Sequence, residues 1–478
     1  MAGPSLGFVG FAMLVALLVG AVRSLSGRQW IMLVASGLFL ASFSKDLLAF
    51  LPLVGFLVVG FGALRLVEKW GNQGFTAVLV GVLALFVWIK KYAFVPSVLT
   101  LPFPYVTIGL SYILFRLLHL IIEARGDASY LGIPFRLYLG YLIGFNTLVA
   151  GPIQRFDEFR DQEAFATDNR ISLGDIGEAL ARIVAGLWKT NVLAALLSYY
   201  RLEALARLSG PLSPLDQLLN GAATFALYAL FLYCNFSGYI DIVLGVSRLL
   251  GVRLPENFDR PFSATSFIDF WNRWHITLSR WLRTYIYNPL LISLLRRFPS
   301  PNLESAWATL AFFVTFFLVG AWHGQTTAFL FFGFLQGLGV AVNKLYQITL
   351  MKRLGRKNFE KLSSLSLYAV LARGLTFTWF TFTLTWFWAS WDEATKVWSS
   401  LHVSQWMLVW LGILATSSIA LWLWERARRA ALSVQWRQRP LLYSRRVRTA
   451  WYTALLVVVV AAAVLSNQSA PEIVYKDF

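Results

Sequence analysis

Long apolar runs constrain this chain more than any other feature of its sequence, because about 20 apolar residues suffice to cross roughly 30 Å of membrane hydrocarbon. Charged residues make up only 14% of the chain, against roughly 25% in soluble domains. The runs are too continuous for the alternating strands of a membrane barrel. We therefore predict an all-α, polytopic membrane protein, in which the shorter runs are paired, tilted or re-entrant. The predicted runs are 6–22, 30–44, 47–64, 75–89, 101–122, 137–151, 179–200, 219–246, 305–321, 326–343, 366–390, 404–424 and 449–466.

Cysteine and histidine usage limits the cofactors that such a chain could hold. Cys234 is the single cysteine, which excludes an internal disulfide and a thiolate zinc cluster. Four histidines argue against a multi-histidine metal site. No Lys or Arg precedes Arg23, which favours a retained first helix over a cleaved signal peptide. We predict no metal and no permanently bound cofactor.

The basic balance of the chain, +18 at pH 7, indicates how it lies in the membrane. Lys and Arg collect in cytoplasmic loops and contact anionic headgroups, so membrane lipids are the expected partners and nucleic acid is not. A basic cytoplasmic face would also attract an acidic carrier, such as an acyl carrier protein or a nucleotide-containing thioester. The segment 425–448, with eight arginines and one acid, predicts a cytoplasmic loop. Counting the predicted spans backward from this loop places 247–304 on the cytoplasmic side as well. The count does not decide on which side the N-terminus lies.

No linker, repeat or low-complexity tract divides the sequence, so a single domain over 1–478 is predicted. The most polar stretch, 154–178, is typical of a cytoplasmic loop with short helices. Within it, Ser172 and Asp175 have the spacing of a helix N-terminal cap.

The stretch FWNRWHITLSRW, from Phe270 to Trp281, predicts an amphipathic helix over 263–287 that lies in the membrane interface. Aromatic side chains fall on one arc of this helix and arginines on the other. His275 lies at the edge of the apolar arc. It is either a packed, hydrogen-bonded side chain or a residue that carries chemistry, and the spacing alone favours packing.

A second histidine, His323, lies in the sequence WHG between two apolar runs. A histidine at membrane depth is costly, which makes it a candidate functional residue, and histidine is well suited to proton transfer near neutral pH. Gly320 and Gly324 permit a close turn, and Gln325 follows with polar character. A catalytic histidine and a structural cap of a broken helix are equally compatible with this position.

Other polar side chains also fall inside apolar runs. Tyr233, Ser237 and Asp241 share one helical face, and the sequence offers Arg248 or Tyr233 as the partner of Asp241. A second stripe predicts an ion-pair network that consists of Arg116, His119 and Glu123. His402 is predicted to anchor at the membrane interface. The sequence GPIQR, 151–155, predicts either a plain helix end or a cytoplasmic mouth that includes Arg155.

Several stretches in this order resemble the membrane-bound O-acyltransferase (MBOAT) family, and in particular its bacterial branch that acts on alginate and teichoic acid. They lie within 105–340, the motif-bearing core, and the most specific lie in 235–290 together with WHG. The matching stretches are TIGLSYILF (107–115), LVAGPIQRF (148–156), AGLWKT (185–190), NFSGYIDIVLGVSRLLGVRLPENFDRPF (235–262), FWNRWHITLSRWLRTYIYNPL (270–290) and WHG (322–324).

The resemblance implies a ring of helices around a central reaction chamber, with His323 as the catalytic base and His275 as the other motif histidine. It implies transfer of an acyl group, expected to be acetyl, from acetyl-CoA or an acyl carrier protein to an extracytoplasmic polysaccharide or a periplasmic acyl-relay partner. The expected location is the bacterial inner membrane, with His323 reachable from both faces. Alternatives are D-alanyl transfer to a teichoic acid-type polymer, lipid O-acylation and, in a different class, solute transport. Residues expected to bind substrate or line a tunnel are Trp274, Asn272, Arg273, Trp322, Gln325, Ser237, Tyr239, Asp241, Arg155 and Asn257.

Overall fold

The computed structural model describes residues 5–165, 171–436, 439–440, 444–465 and 474. Its contacts divide the chain into two compact units. The first unit comprises 1–190, 235–255 and 472–478, and the second comprises 191–234 and 256–471. The single domain predicted over 1–478 stays a prediction.

The first unit is helical throughout its regular structure. Short 3₁₀ turns at Leu47–Phe50, Ser97–Leu99 and Ala128–Tyr130 connect some of its helices. Ser172 and Asp175 form the predicted capping box at the start of the helix that begins at Leu173, which confirms that sequence signal. The helices are α1 (Leu6–Ala21), α2 (Leu25–Ala41), α3 (Leu51–Trp70), α4 (Asn72–Ile89), α5 (Leu110–Glu123), α6 (Phe135–Ile143), α7 (Phe156–Phe165), α8 (Leu173–Trp188) and the part of α10 (Pro214–Leu249) from Asn235 onward.

The second unit contains the remaining helices and a two-residue antiparallel strand pair, Gln435–Trp436 with Arg439–Pro440. A π-helical segment, Lys189–Leu193, joins α8 to α9, and another, Arg283–Tyr287, joins α12 to α13. The helices are α9 (Ala194–Arg207), the first part of α10, α11 (Phe267–Arg273), α12 (Ile276–Leu282), α13 (Asn288–Arg297), α14 (Glu304–His323), α15 (Thr327–Leu354), α16 (Arg356–Ser364), α17 (Ser366–Thr383), α18 (Thr385–Trp388), α19 (Trp391–Ser399), α20 (Val403–Ser433) and α21 (Arg445–Leu465).

Membrane-crossing helices are numerous, as the apolar runs predict. Among the described residues, eight helices are long and apolar enough to span a bilayer. The chain is therefore a multi-pass, all-α membrane protein, and that part of the sequence prediction is confirmed. The eight are Leu47–Trp70, Asn72–Ile89, Leu173–Arg207, Pro214–Leu249, Glu304–His323, Thr327–Leu354, Val403–Ser433 and Arg445–Val464.

Some predicted apolar runs form shorter elements. The run 101–122 becomes the 14-residue helix α5, which starts only after Gly109 at φ 71° and is buried along most of its length. The run 366–390 is divided at Leu384 between α17 and α18. Hydropathy responds to burial in protein and in lipid alike, so it could not separate these segments from true spans.

The predicted arginine-rich loop 425–448 is also shorter than expected. Helix α20 continues to Ser433, and α21 begins at Arg445. Three of the eight arginines, Arg426, Arg428 and Arg429, therefore lie on the last turns of a helix. Arginine has a high helix propensity and its long side chain reaches the headgroup region from such a position.

Glycines permit the close approach of α14 and α15, the two helices that flank the WHG sequence. A Cβ at Gly320 would overlap the carbonyl oxygen of Phe329 and the backbone of Gly333. A Cβ at Gly324 would overlap the ring of Phe329. Small residues allow helix backbones to approach in membranes, where lipid tails supply no hydrophobic drive for association. The pair α14 and α15 thus fixes the position of His323.

Candidate active site

His275 lies at a break between two helices in the second unit. Helix α11 ends at Arg273 and α12 begins at Ile276, and His275 between them has φ 45° and ψ 54°. The predicted continuous helix over 263–287 is therefore wrong. A left-handed conformation is uncommon for a residue other than glycine, and such conformations occur often at functional sites.

Asn257 holds the break and the imidazole of His275 together. Its side-chain oxygen accepts hydrogen bonds from the backbone nitrogen (3.1 Å) and the hydroxyl (2.9 Å) of Thr277. The same oxygen lies 3.3 Å from Nδ1 of His275. The carbonyl of Asn257 also accepts from the backbone nitrogen of Ile276 at 3.0 Å. An acceptor at this position places the proton of neutral His275 on Nδ1 and the lone pair on Nε2.

Burial keeps His275 uncharged. The side chain has no exposed surface, and desolvation lowers the pKa of His275 to about 3. An imidazole with this pKa is neutral at pH 7. The predicted position at the edge of an interfacial helix is therefore wrong, since the residue lies inside the protein.

His323 is the last residue of α14, directly before the extended residue Gly324. Its ring lies 5.0 Å from the ring of Phe387 and 5.8 Å from that of Phe332, measured between centroids. Only 2% of His323 is exposed. The sequence predicted a turn at WHG, whereas the structure keeps Trp322 and His323 in the helix and turns at 324–326.

Trp322 brings the two histidines into one cluster. Its ring centroid lies 6.2 Å from that of His275 and 4.6 Å from that of His323. The two imidazoles also interact electrostatically. Residues 48 positions apart in sequence therefore meet in the buried interior of the second unit.

Both imidazoles of the cluster are buried: His275 has no exposed surface and His323 is 2% exposed. Cavities of about 20 and 620 Å³ in the second unit are lined by other residues. Aromatic side chains lie beside His323. The expected access to His323 from both membrane faces stays a prediction.

The other predicted site residues of the second unit differ in their burial and in their partners. Trp274 is buried and stacks on Phe270 at 5.6 Å. Asn272 accepts a hydrogen bond from Arg283, which satisfies its oxygen within the protein. Arg273 pairs with Asp269 at 3.0 Å. Gln325 is exposed, just beyond the end of α14.

Asp241, on α10 in the first unit, pairs with two cations of α8 and the following π-helical segment. Arg182 Nε lies 2.9 Å from Oδ1 and Lys189 Nζ lies 2.7 Å from Oδ2. The predicted partner Arg248 is wrong, because Arg248 pairs instead with Asp175 at 2.9 Å. Helical spacing compares residues of one helix and carries no information on cations supplied by a neighbouring helix.

Ser237 and Tyr239, also on α10, are buried in the first unit. The hydroxyl of Tyr239 is hydrogen-bonded to the backbone of Ala150. The hydroxyl of Ser237 has no hydrogen-bond partner among the residues that the structure describes.

The predicted network of Arg116, His119 and Glu123 is only partly present. Arg116 donates to the carbonyls of Tyr141 (3.1 Å) and Leu142 (3.2 Å) rather than to Glu123. Nε2 of His119 accepts from the backbone nitrogen of Phe156 at 2.9 Å.

Arg155 and His402 lie outside buried interiors. Arg155 is half-exposed and pairs with Asp157 at 3.0 Å. His402 is exposed and caps the N-terminus of α20, so its local role is structural. No group of three His, Cys, Asp or Glu side chains among the described residues could hold a metal ion.

Two residues near the histidines gave no sequence signal. Thr277 shares the oxygen of Asn257 with His275, and Phe387 lies against His323 from a helix 64 residues further along the chain. A dry pocket with two imidazoles can move a proton and exclude water. Such a pocket suits a transfer reaction in which hydrolysis would be wasteful.

Comparison with known proteins finds one matching family. The model of the MBOAT, membrane-bound O-acyltransferase family, matches residues 124–384. This range covers more than half of the chain, and both His275 and His323 lie within it.

Individual proteins that are similar to this chain are named as three kinds of transferase. A teichoic acid D-alanyltransferase of Streptococcus thermophilus is 30% identical over 49% of this chain and 56% of its own length. A probable alginate O-acetylase of Pseudomonas fluorescens is 31% identical over 67% of this chain and 62% of its own length. A peptidoglycan O-acetyltransferase of Helicobacter pylori is 30% identical over 44% of this chain and 37% of its own length. The matched region thus spans less than two thirds of each of these relatives.

Proposed function

Because the chain belongs to the membrane-bound O-acyltransferase family, we propose that it is an acyltransferase that moves an acetyl group from a thioester to a hydroxyl of a cell-surface polysaccharide. The donor is acetyl-CoA or an acetylated acyl carrier protein on the cytoplasmic side of the bacterial inner membrane. The acceptor is extracytoplasmic, and a periplasmic acyl-relay partner could stand between it and the enzyme. The buried cluster of His275, Trp322 and His323 is the observation that carries the proposal.

His323 acts as the general base. The acceptor hydroxyl gives its proton to the imidazole as its oxygen attacks the thioester carbonyl. The tetrahedral intermediate then collapses, the carbon–sulfur bond breaks, and the thiolate takes the proton back from the imidazolium. The ester and the free thiol are the products, so atoms and charges balance. A positioned base of this kind typically contributes 10²–10⁴-fold to the rate.

The dry surroundings of His323 support transfer over hydrolysis. Phe332 and Phe387 flank the imidazole, and water at this position would compete with the acceptor hydroxyl. Because the imidazole of His323 is buried, we expect movement of the neighbouring aromatic side chains to admit the substrates. Gated access of this kind is common in enzymes that protect a reactive intermediate.

His275 orients the donor thioester rather than serving as the base. Nδ1 donates to the side-chain oxygen of Asn257, which leaves Nε2 as the acceptor atom of the ring. Trp274, the preceding residue, is buried and stacks on Phe270. A neutral imidazole with its lone pair on Nε2 suits a positioning role, because it can accept a hydrogen bond from a donor group of the bound substrate.

D-alanyl transfer to a teichoic acid-type polymer is the second candidate. The relative of that name is as similar in identity as the O-acetylating relatives, at 30%. Both reactions use the same proton transfer, so His323 serves either one. The two differ in the mass of the group added to the polymer.

Replacement of His323 by Ala tests the proposal directly. The cell-surface polysaccharide is isolated from cells that carry the wild type, the variant or no copy, and acyl groups are counted by mass spectrometry. We expect His323→Ala to lower acylation at least a hundredfold, and an added mass of acetyl rather than alanyl. His275→Ala is expected to lower acylation less.

His402→Ala is the matched control, because His402 is exposed and caps α20 away from the cluster. It should leave acylation unchanged. Membrane abundance of each variant is measured by immunoblot so that loss of protein is separated from loss of activity. Normal acylation by a well-inserted His323→Ala variant would reject the catalytic role.

A further inference from the structure

We propose that a cavity in the first unit binds a phosphate group. The cavity has a volume of about 90 Å³ and lies between α2, α6 and the segment that leads to Gln154. Its lining includes three arginines, Arg28, Arg116 and Arg136, and no Asp or Glu among the residues that the structure describes. This site lies outside the histidine cluster, and its binding is measured without any acyl transfer.

Two of the arginines, Arg116 and Arg136, bring positive charge to the cavity through hydrogen bonds to neutral groups. Arg136 donates to the hydroxyl of Ser26 at 2.7 Å, and Arg116 donates to backbone carbonyls. Arg28, whose Nε donates to the carbonyl of Val22 at 2.7 Å, adds a third guanidinium to the lining. Among the described lining residues, arginines without a carboxylate favour an anion.

Two buried donors at the cavity have no acceptor among the described residues. They are Nε of Arg116 and Nε2 of Gln154. Arg116 is 1% exposed and Gln154 is 5% exposed, so bulk water does not solvate them. A buried donor without an acceptor costs about 1–3 kcal/mol, and a bound anion would remove that cost. Asn146, also buried, lies in the same lining.

Size and geometry favour phosphate over a larger or planar anion. A cavity needs about 10–15 Å³ for each water, so this one accommodates several waters or one tetrahedral anion. The donors come from four separate segments, which are α2, α5, α6 and the loop before α7. A tetrahedral phosphate accepts hydrogen bonds from several directions, whereas a carboxylate accepts mainly in one plane.

The phosphate group could belong to a membrane phospholipid or to a soluble molecule such as coenzyme A. Apolar residues of the same lining, among them Val19, Leu25 and Met32, would contact an acyl chain equally well. The shared chemistry is the phosphate ester, and the experiment separates its two sources.

Binding is measured on the purified full chain in a detergent without phosphate, after exchange to remove lipid. Inorganic phosphate is titrated at constant ionic strength, with chloride as the reference anion, and thermal unfolding reports binding. We expect a saturable rise in the unfolding temperature. Arg136→Gln and Gln154→Leu should each weaken phosphate binding at least tenfold, since each removes a donor to the anion.

Arg23→Gln is the matched control, because Arg23 is exposed and outside the lining. It should bind phosphate like the wild type. Arg116 is left intact because its loss would release three backbone carbonyls and endanger folding. Gln154→Leu removes no charge, so it tests the site even if Arg136→Gln is unstable.

Two further measurements identify the source. Native mass spectrometry detects phosphatidylglycerol retained by the wild type and lost in Gln154→Leu, if the ligand is a lipid. Tighter binding of coenzyme A than of pantetheine, abolished by the same variant, indicates a soluble phosphate ester. Phosphate binding no stronger than chloride binding, or binding that the variants and Arg23→Gln change equally, overturns the proposal.

Discussion

The side-chain oxygen of Asn257 lies 3.3 Å from Nδ1 of His275 and accepts two hydrogen bonds from Thr277 as well. One atom thus holds both the imidazole and the first turn of α12. The backbone donor of Thr277 identifies this atom as the amide oxygen, because only an acceptor fits there. The tautomer of His275 therefore depends on a residue 18 positions earlier in the chain.

Asn257→Leu should destabilise the protein and reduce acylation. Each donor that loses its buried acceptor costs about 1–3 kcal/mol, and the imidazole also loses its fixed tautomer. Thermal unfolding of the purified variant measures the first effect. Acyl content of the cell-surface polymer measures the second.

Asn257→Asp separates positioning from folding. The carboxylate keeps an acceptor at the same place, so the fold should be retained, and a negative charge beside His275 raises the pKa of its imidazole. We expect the pH profile of acylation to change in Asn257→Asp while the unfolding temperature stays close to that of the wild type. An unchanged profile with normal stability would contradict a positioning role.

Asp241→Asn should destabilise the first unit. Asp241 is mostly buried and pairs with both Arg182 and Lys189, and hydrogen bonds to charged groups are worth about 1.5–3 kcal/mol. Glu360→Gln is the control, because its pair with Arg356 is exposed and exposed pairs contribute at most about 1 kcal/mol. Equal unfolding temperatures for the two variants would show that the ion pairs of Asp241 stabilise the protein no more than an exposed pair does.

The sequence predicted the class of fold well and the local geometry of the site poorly. Long spans such as Pro214–Leu249 follow directly from apolar length. The helix break at His275 could not be predicted from the residues around it, because neither glycine nor proline marks the position. Its cause is the hydrogen bonding of Asn257, which is remote in sequence.

For the candidate site, too, the sequence predicted some features and not others. His275 and His323 were identified as candidates from polar residues in apolar surroundings and from the family resemblance. Their meeting through Trp322 depends on the packing of α11–α15 and is absent from any local pattern. The partners of Asp241 were missed for the same reason, since they come from another helix.

Gly320→Ala should disturb the packing of α14 against α15. A Cβ at this position would overlap the carbonyl oxygen of Phe329, and inserting atoms into a packed interior costs typically about 1–3 kcal/mol. The end of α14 would shift and carry His323 with it. Thermal unfolding and acylation should therefore both decrease.

Gly412→Ala provides the comparison for Gly320→Ala. Gly412 lies within α20, and a Cβ there meets nothing within 4 Å. Alanine in an open helical position is favourable by about 0.5–1 kcal/mol relative to glycine. If both variants were equally stable, a close approach of α14 and α15 would not be what requires glycine at position 320.

Stability should fall on acidification because of His275. Its folded-state pKa of about 3 lies below the ordinary value of 6.5, so the unfolded chain takes up a proton first as the pH falls. The stabilising contribution is complete above pH 6.5 and is lost progressively between pH 6.5 and 3. The loss approaches about 1.4 kcal/mol per pH unit for one such group.

His275→Gln removes this titration while carboxylates elsewhere still titrate. The unfolding temperatures of the wild type and His275→Gln are compared from pH 7.5 to 4.5. As the pH falls, we expect the unfolding temperature of the wild type to decrease more than that of the variant. A difference that is constant with pH would show that His275 is not buried in neutral form.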